Sequence, residues 1–253
     1  RYNIKEIIRQ LDDEGKHVVY SDTDSIFVQA PVDNEAPTSK PNSNETSIDL
    51  WNDAKTITLD FGEKLASRFS KEGAELEFET ALSAFFSHGA KKRYVGRVVW
   101  PREELLIRGY EVRRTDSFEL LRETMTDMFE LILDNQSWNS VEMTKTVIDD
   151  VKSKKIPASK LVISRSCKGR WDSKNKQWSF DMYSNENLPY VRAAKERIKL
   201  GLSFTPGMKV GYIVTDASSS PMKVKSWLVD ELDSPPPDYD SEYYAKRLAK
   251  ALG

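Results

Sequence analysis

Apolar residues recur at helical spacing at the start of the chain. The positions that follow this spacing are Ile4, Ile7, Ile8 and Leu11. The chain is therefore expected to open inside an amphipathic helix, with no visible capping residue ahead of it. Two short β-rich runs come after Gly15, at 17–20 and 25–29, and the acidic segment Ser21-Asp22-Thr23-Asp24 separates them. This pattern predicts a β-hairpin that carries carboxylates at its tip.

The next part of the chain alternates between polar and apolar segments. Residues 31–48 are rich in Pro, Asn, Ser and Thr and carry almost nothing to bury, which predicts a mobile loop. A helix that ends near Gly73 follows, and its apolar stripe consists of Leu50, Ala54, Ile57, Phe61 and Leu65. Residues 75–80 alternate between glutamate and apolar positions, which predicts a strand. Two further β-rich runs flank a turn at residues 101–103.

The pattern changes to longer helices from Thr115 onward. The first of these helices has a core face made of Phe118, Leu121, Met125, Met128, Phe129 and Ile132. Further helices are predicted at 141–151, at 188–201 and from Asp240, with short strands at 160–166 and 210–215. The fold class predicted from this pattern is α+β, with one domain over residues 1–107 and a mainly helical second domain over residues 108–253.

Composition narrows the chemistry that this chain can perform. The single cysteine, Cys167, cannot form an internal disulfide, and with only His17 and His88 beside it a zinc cluster is implausible. Any metal is expected to be held by carboxylates, which suits Mg²⁺. No apolar run is long enough to span a bilayer and no leader segment is visible, so we expect no membrane association and a cytoplasmic location.

The net charge is only −2, so overall charge does not indicate a nucleic-acid-binding protein. Basic residues nevertheless cluster at 91–97, 108–114 and 165–170. Such clusters are more often solvated faces than phosphate contacts. The acidic hairpin tip has the same ambiguity, because Asp and Ser are common in ordinary turns. A tip held by two paired strands would also be a good mount for metal-binding carboxylates.

The string YSDTDSIFV, residues 20–28, resembles the second catalytic aspartate motif of the family B DNA polymerases, usually written YxDTDS. The resemblance implies that Asp24 is catalytic and ligates both Mg²⁺ ions of a two-metal site. It places Asp22 beside that site as an accessory catalytic and metal-binding group. It also places Tyr20 near the primer end. Two-metal phosphoryl transfer needs carboxylate oxygens that converge on ions about 3.5–4 Å apart.

Further motifs resemble the family in the same order along the chain. Residues 91–94, Lys91-Lys92-Arg93-Tyr94, match the KKRY motif that contacts the primer strand in the minor groove. In an extended strand, Lys92 and Tyr94 would send their side chains to one face. The segment RGYEVRRTDSFELL resembles the passage from palm to thumb, and KLVISRS, PYVRAAKERIKLG and TPGMKVGYIVTD resemble successive thumb elements. The candidate duplex contacts in these segments are Arg108, Arg113, Arg114 and Arg165.

The resemblance implies a partial palm with an antiparallel sheet and packing helices, followed by a helical thumb. Glu77 and Glu79 lie where the family often has acids flanking the metal site; a solvated strand face is the better reading, with Glu79 kept as a candidate ligand. The least matched parts are the loop at 31–48 and the segment RSCKGRWDSKNKQW. Motifs of the DxxSLYPS and KxxxNSxYG types, and the exonuclease acids, are not found in this sequence.

The expected partners follow from the missing motifs. Asp24 alone cannot hold two ions, so the resemblance implies a larger polymerase chain that carries the first aspartate motif, the fingers and the exonuclease, and that shares the Mg²⁺ site. Primer–template DNA and deoxynucleoside triphosphates are the implied substrates, and a sliding clamp is a further candidate partner. The chain is read either as the small subunit of a split polymerase or as one piece of a cleaved or engineered one. A non-catalytic architectural subunit is the alternative, and another palm-type enzyme such as a cyclase is a weaker one.

Overall fold

The computed structural model describes residues 2–70, 76–113, 117–227 and 236–253. Its α-helices are α1 (Tyr2–Asp13), α2 (Glu45–Phe69), α3 (Glu119–Leu133), α4 (Ser137–Lys152), α5 (Pro189–Lys199) and α6 (Ser241–Leu252). Its strands are β1 (Val18–Asp22), β2 (Ser25–Val28), β3 (Ala81–Ser87), β4 (Tyr94–Trp100), β5 (Glu104–Arg108), β6 (Ile163–Ser166), β7 (Arg170–Asp172), β8 (Gln177–Ser179), β9 (Lys209–Asp216) and β10 (Lys223–Ser226). The predicted α+β class is confirmed.

The chain divides into two compact units. Unit 1 comprises Arg1–Gly109 and Ile132–Gln136, and unit 2 comprises Tyr110–Leu131 and Ser137–Gly253. All strand pairs are antiparallel: β1 with β2, β3-β4-β5 and β10-β9-β6 as three-stranded sheets, and β7 with β8. None of the helices in the described part of the chain is long and apolar enough to cross a membrane.

The core of unit 1 lies between α2 and the β3-β4-β5 sheet. Trp51, Ala81 and Val99 are buried there, and the rings of Phe78 and Trp100 stack 5.0 Å apart beside them. The predicted stripe of α2 is only partly right, because Ile57 is 40 % exposed and Trp51 is the buried residue of this helix. The stripe predicted for α1 is confirmed, since two of its four members, Ile7 and Leu11, are buried.

Several predicted boundaries shift in the structure. Residues 45–48, which the sequence assigned to the loop, form the first turn of α2, because the Asn44 side chain accepts a hydrogen bond from the Ser47 N–H (3.3 Å) and caps the helix. Within the remaining loop, the Thr38 carbonyl accepts hydrogen bonds from Ser83 Oγ and Arg97 Nη1. Residues 76–80 pair with no strand, although their exposure alternates as predicted; β3 begins at Ala81. Glu75 and the expected helix end at Gly73 lie outside the described residues.

Unit 2 has its core around α3, α6 and β9. The ring of Tyr244 meets Phe118 edge to face at 5.2 Å, and its hydroxyl accepts a hydrogen bond from the Val214 N–H (3.0 Å). This burial raises the pKa of the Tyr244 hydroxyl. The final helix begins after Asp240, as predicted, because the Asp240 carboxylate accepts the Tyr243 N–H (3.0 Å). The strands β7, β8 and β10 are additional to the predicted elements.

We expect acid to weaken the link between α1 and α2. The Arg68 guanidinium donates two hydrogen bonds to the Glu14 carboxylate, one of them 2.8 Å long, and Lys16 also bonds to it. These partners lower the pKa of Glu14 to about 2. Because the pKa is lower in the folded state, the stabilisation is complete above the ordinary pKa of 4.5 and is lost as the pH falls towards about 2. Glu14→Gln should reduce the fall in the free energy of unfolding, measured with denaturant, as the pH drops from 4.5 towards about 2.

The control for this prediction is Glu63→Gln, which changes an exposed glutamate of α2 that has no ion pair with a described residue. It should leave the pH dependence of the unfolding midpoint unchanged. An equal effect of the two substitutions would contradict the assignment of the acid sensitivity to the Glu14–Arg68 contact.

Candidate functional site

The acidic motif sits at the tip of the β1–β2 hairpin. Asp22 is the last residue of β1 and faces Ser25, the first residue of β2. The tip is tight: the Asp24 N–H donates to the Asp22 carbonyl at 2.6 Å, and Thr23 has a left-handed backbone (φ +46°). Ser25 Oγ donates to the same carbonyl at 3.1 Å. The short connection therefore holds the two carboxylates next to each other at one end of the hairpin.

The two carboxylates differ in their surroundings. Asp22 is half-buried, and its Oδ1 accepts a hydrogen bond from Thr23 Oγ1 (3.1 Å). Asp24 is exposed, and its carboxylate has no hydrogen-bond or ion-pair partner among the described residues. Both of its oxygens are thus available to an external cation. A carboxylate that its own fold does not neutralise is the kind of ligand that Mg²⁺ prefers.

Four aromatic rings support the hairpin from below. The aromatic cluster consists of Tyr20, Phe27, Phe85 and Tyr94, whose ring centroids lie 5.1 to 5.9 Å apart. Tyr20 and Phe27 come from the hairpin, and the other two rings come from β3 and β4. Aromatic pairs in this distance range stabilise a contact beyond the area they bury, by about 0.5–1.5 kcal/mol each. The cluster therefore ties the acidic hairpin to the β3-β4-β5 sheet.

A hydrogen bond joins the two predicted motifs directly. The Tyr20 hydroxyl accepts the N–H of Lys92 at 2.9 Å. The Tyr20 ring also lies 5.2 Å from the Tyr94 ring, so two residues of the KKRY segment contact the same tyrosine. These contacts join the first residue of the 20–25 motif to the KKRY segment, although 72 residues separate Tyr20 from Lys92 along the chain.

The basic side chains of this site are exposed and lie around the start of β4. Arg108 faces Tyr94 across the β4–β5 pair. The exposed cations that form no ion pair with a described residue are Lys91, Lys92, Arg93 and Arg108. The expectation that Lys92 lies in a strand is wrong: β4 begins at Tyr94, and Lys92 adopts a left-handed backbone (φ +65°) in the preceding turn. Alternation along a strand therefore does not orient Lys92; the turn does.

Gly109 fits against the KKRY turn and was not singled out in the sequence. A Cβ atom at this position would lie 2.1 Å from the Lys92 carbonyl oxygen, and the backbone of Gly109 is left-handed (φ +76°). Phe27 and Phe85 were also missed, since each looks like an ordinary core residue. Gly109 carried a weak signal, because glycine directly after a strand often marks a turn or a close backbone approach.

Gly109→Ala is expected to destabilise unit 1 more than a matched glycine substitution does. Any non-glycine residue at a left-handed position costs about 1–2 kcal/mol, and at Gly109 the added methyl group must also displace the Lys92 carbonyl. Gly89→Ala is the control, because Gly89 has a similar φ of +75° and no atom within 4 Å of its added Cβ. Denaturant unfolding measures both costs, and equal costs would contradict a tight Gly109–Lys92 contact.

The other predicted site residues are less closely tied to this site. Glu79 is exposed, and in the described part of the chain no three His, Cys, Asp or Glu side chains converge to hold a metal. Asp22, Asp24 and Glu79 thus form no three-carboxylate group here. Arg165 is an exposed residue of β6 in unit 2, with its guanidinium 5.2 Å from the Tyr190 ring centre. Arg114 and the side chain of Arg113 lie outside the described residues.

Comparison with known proteins identifies the family. The sequence profile described as DNA polymerase family B matches residues 3–252. This chain belongs to DNA polymerase family B. Its curated relatives include the DNA polymerase of Pyrococcus horikoshii, 26% identical over all of this chain and 19% of that protein. They also include DNA polymerase 1 of Pyrococcus abyssi, 29% identical over all of this chain and 30% of that protein.

A solved structure supports the fold of this family B chain. The family B DNA polymerase from Pyrobaculum calidifontis aligns with 98% of this chain and 28% of its own, with a TM-score of 0.57 and 21% sequence identity. At this identity the likeness concerns the fold alone. The chain spans less than a third of the length of the two curated relatives named above.

Proposed function

We propose that this chain is the portion of a DNA-directed DNA polymerase that supplies the second catalytic aspartate motif, the primer contact and the duplex-gripping thumb. The observation that carries the proposal is the hydrogen bond between the Tyr20 hydroxyl and the Lys92 N–H. This bond joins the hairpin that carries Asp22 and Asp24 to the segment that carries Lys91, Lys92 and Arg93, which supports the proposal that the carboxylates and the cations act together. The incoming nucleotide with its metal ions needs carboxylates, and the primer backbone needs cations.

Asp24 and Asp22 are the proposed Mg²⁺ ligands, and Glu79 does not converge with them in a three-carboxylate group. When bound, the two ions would neutralise the triphosphate and activate the primer hydroxyl. The residues present fit part of this role, because carboxylate oxygens are available at the hairpin tip and no third acid of the described chain joins them. We infer that a larger chain, with the first aspartate motif, the fingers and the exonuclease, supplies the remaining ligands.

The proposed contacts to primer–template DNA lie in both units. Lys91, Lys92, Arg93 and Tyr94, with Tyr20 and Arg108, would hold the primer end. Unit 1 corresponds in this proposal to the palm, and unit 2 to the thumb, where Arg113, Arg114 and Arg165 would contact the duplex backbone. Phosphate contacts of this kind position the duplex without reading its sequence.

Lys92→Ala is expected to weaken primer–template binding and to lower its salt dependence. If the ammonium group neutralises one phosphate, the slope of log affinity against log salt should fall by about 0.9 for duplex DNA. The control is Lys5→Ala, which removes an exposed lysine from α1 of the same unit. Fluorescence anisotropy at several salt concentrations measures the slope, and equal slopes for the two variants would identify Lys92 as a solvated surface lysine.

A reconstitution assay separates the polymerase proposal from the alternative of a non-catalytic architectural subunit. The chain is mixed with a polypeptide that carries the first aspartate motif and the fingers, and Mg²⁺-dependent nucleotide incorporation is measured. Incorporation that depends on both chains supports the polymerase. Formation of a DNA-bound complex without incorporation supports the architectural subunit instead.

A further inference from the structure

Strands β7 and β8 form a small hairpin in unit 2. Trp171 of β7 pairs with Trp178 of β8, and their rings lie 5.4 Å apart. The base of the hairpin is firmly seated in unit 2. Trp178 packs edge to face on Phe204 at 4.9 Å, and a Cβ at Gly169 would lie 2.7 Å from the same ring. Trp178 therefore anchors the hairpin in unit 2, while Trp171 is exposed.

The carboxylate of Asp172 forms hydrogen bonds within the turn of the hairpin. The Asp172 carboxylate accepts hydrogen bonds from the N–H of Lys174 (2.9 Å) and from the N–H and side-chain amide of Asn175 (3.2 and 2.6 Å). The bonds from Asn175 hold the pKa of Asp172 below its ordinary value. Asp172 thus stabilises the turn, and its oxygens are occupied by backbone and amide groups rather than by the neighbouring lysine side chains.

The hairpin is strongly cationic in a chain whose net charge is −2. Between Lys168 and Lys176 there are four cations and a single acid, Asp172. Arg170 pairs with Asp181 at 2.6 Å. The side chains of Lys168, Lys174 and Lys176 are exposed and pair with no acid in the described part of the chain. Lys174 and Lys176 lie in the turn of the hairpin and Lys168 lies just before β7, and this excess of positive charge favours an anionic partner.

Trp171 is 49 % exposed in the middle of these charges. An exposed aromatic ring among lysines suits single-stranded nucleic acid, because an unstacked base offers its face to the ring while the lysines contact the phosphates. Duplex bases keep their faces stacked and offer only edges and phosphates. A protein partner is less favoured, because the cores of protein interfaces are depleted of lysine.

We propose that the β7–β8 hairpin binds single-stranded DNA, with the Trp171 ring stacked on a base and with Lys174 and Lys176 on the phosphates. This binding goes beyond the proposed polymerase function, because it needs neither Asp24 nor a partner chain. A hairpin of this kind would hold an unpaired strand next to the part of the enzyme that grips the duplex. The single-strand binding proposal and the metal-site proposal are therefore tested in separate experiments, and either one can fail without the other.

The test measures binding of fluorescein-labelled oligothymidylate to the full chain without Mg²⁺, beside a blunt duplex of equal length. Trp171→Ala should weaken oligothymidylate binding by about fivefold or more, the range of base stacking on aromatic side chains, and Trp171→Phe should keep part of the affinity. The double variant Lys174→Ala/Lys176→Ala should lower the salt slope by about 1.4, since each phosphate contact to a single strand contributes about 0.7.

The matched controls lie on α4 of the same unit. Trp138→Ala removes a tryptophan that is 82 % exposed, and Lys145→Ala/Lys152→Ala removes two exposed lysines. Neither control should change oligothymidylate binding, and circular dichroism checks that each variant is folded. Hairpin variants that behave like these controls would overturn the proposal. A loss of duplex binding as large as the loss of single-strand binding would overturn the assignment to unpaired DNA.

Discussion

Asp24→Ala is expected to reduce nucleotide incorporation by the assembled enzyme by several orders of magnitude. The carboxylate of Asp24 is exposed at the hairpin tip and has no partner among the described residues, so its removal is expected to leave the hairpin folded. In the proposed site Asp24 would be a ligand of both metal ions, and no third acid of the described residues converges there to replace it. Asp22→Ala should do less harm, because Asp22 is proposed as an accessory group.

The control for Asp24→Ala is Asp53→Ala, which changes an exposed aspartate of α2 in the same unit. Single-turnover primer extension with saturating nucleotide measures the chemical step in each variant. Primer–template affinity, measured separately, should remain near that of the unmodified protein. Comparable extension rates for Asp24→Ala and Asp53→Ala would remove Asp24 from the metal site.

The isolated chain is expected to bind duplex weakly and to polymerise nothing until a larger chain is added. Unit 2 has a buried core of its own, built from α3, α6 and β9. The β1–β2 hairpin, in contrast, pairs with no third strand in the described part of the chain. A third strand from a partner could pair with that hairpin and bring the first aspartate motif to Asp24. Metal binding and strand pairing would then be completed together.

Hydrogen exchange and activity assays test this prediction together. Amides of unit 2 should be protected in the isolated chain, and amides from Tyr20 to Phe27 should exchange fast and become protected when the partner binds. Activity should appear only with both chains and Mg²⁺, in proportion to the complex formed. Primer extension by this chain alone, after contaminating polymerases are rigorously removed, would contradict the shared-site proposal.

Local patterns in the sequence determined the elements that depend on neighbouring residues. The hairpin around residues 21–24, the strands on either side of residues 101–103 and the start of α6 at Asp240 were all predicted. Each depends on turn residues, alternation or a capping side chain within a few positions. The charged residues of the candidate site could also be found from the sequence, because the motif at 20–25 and the basic run at 91–94 are each an uninterrupted run of residues.

Only the tertiary structure decided how those pieces meet. The alternation at residues 75–80 predicted a strand, but a strand needs a pairing partner. Residues 76–80 have none, and pairing begins only at Ala81. The bond from Lys92 to Tyr20, the aromatic cluster and the close approach of Gly109 join residues that are distant in the chain. Contacts of this kind leave no periodic signal in the sequence, because they depend on which surfaces come together after the elements have formed.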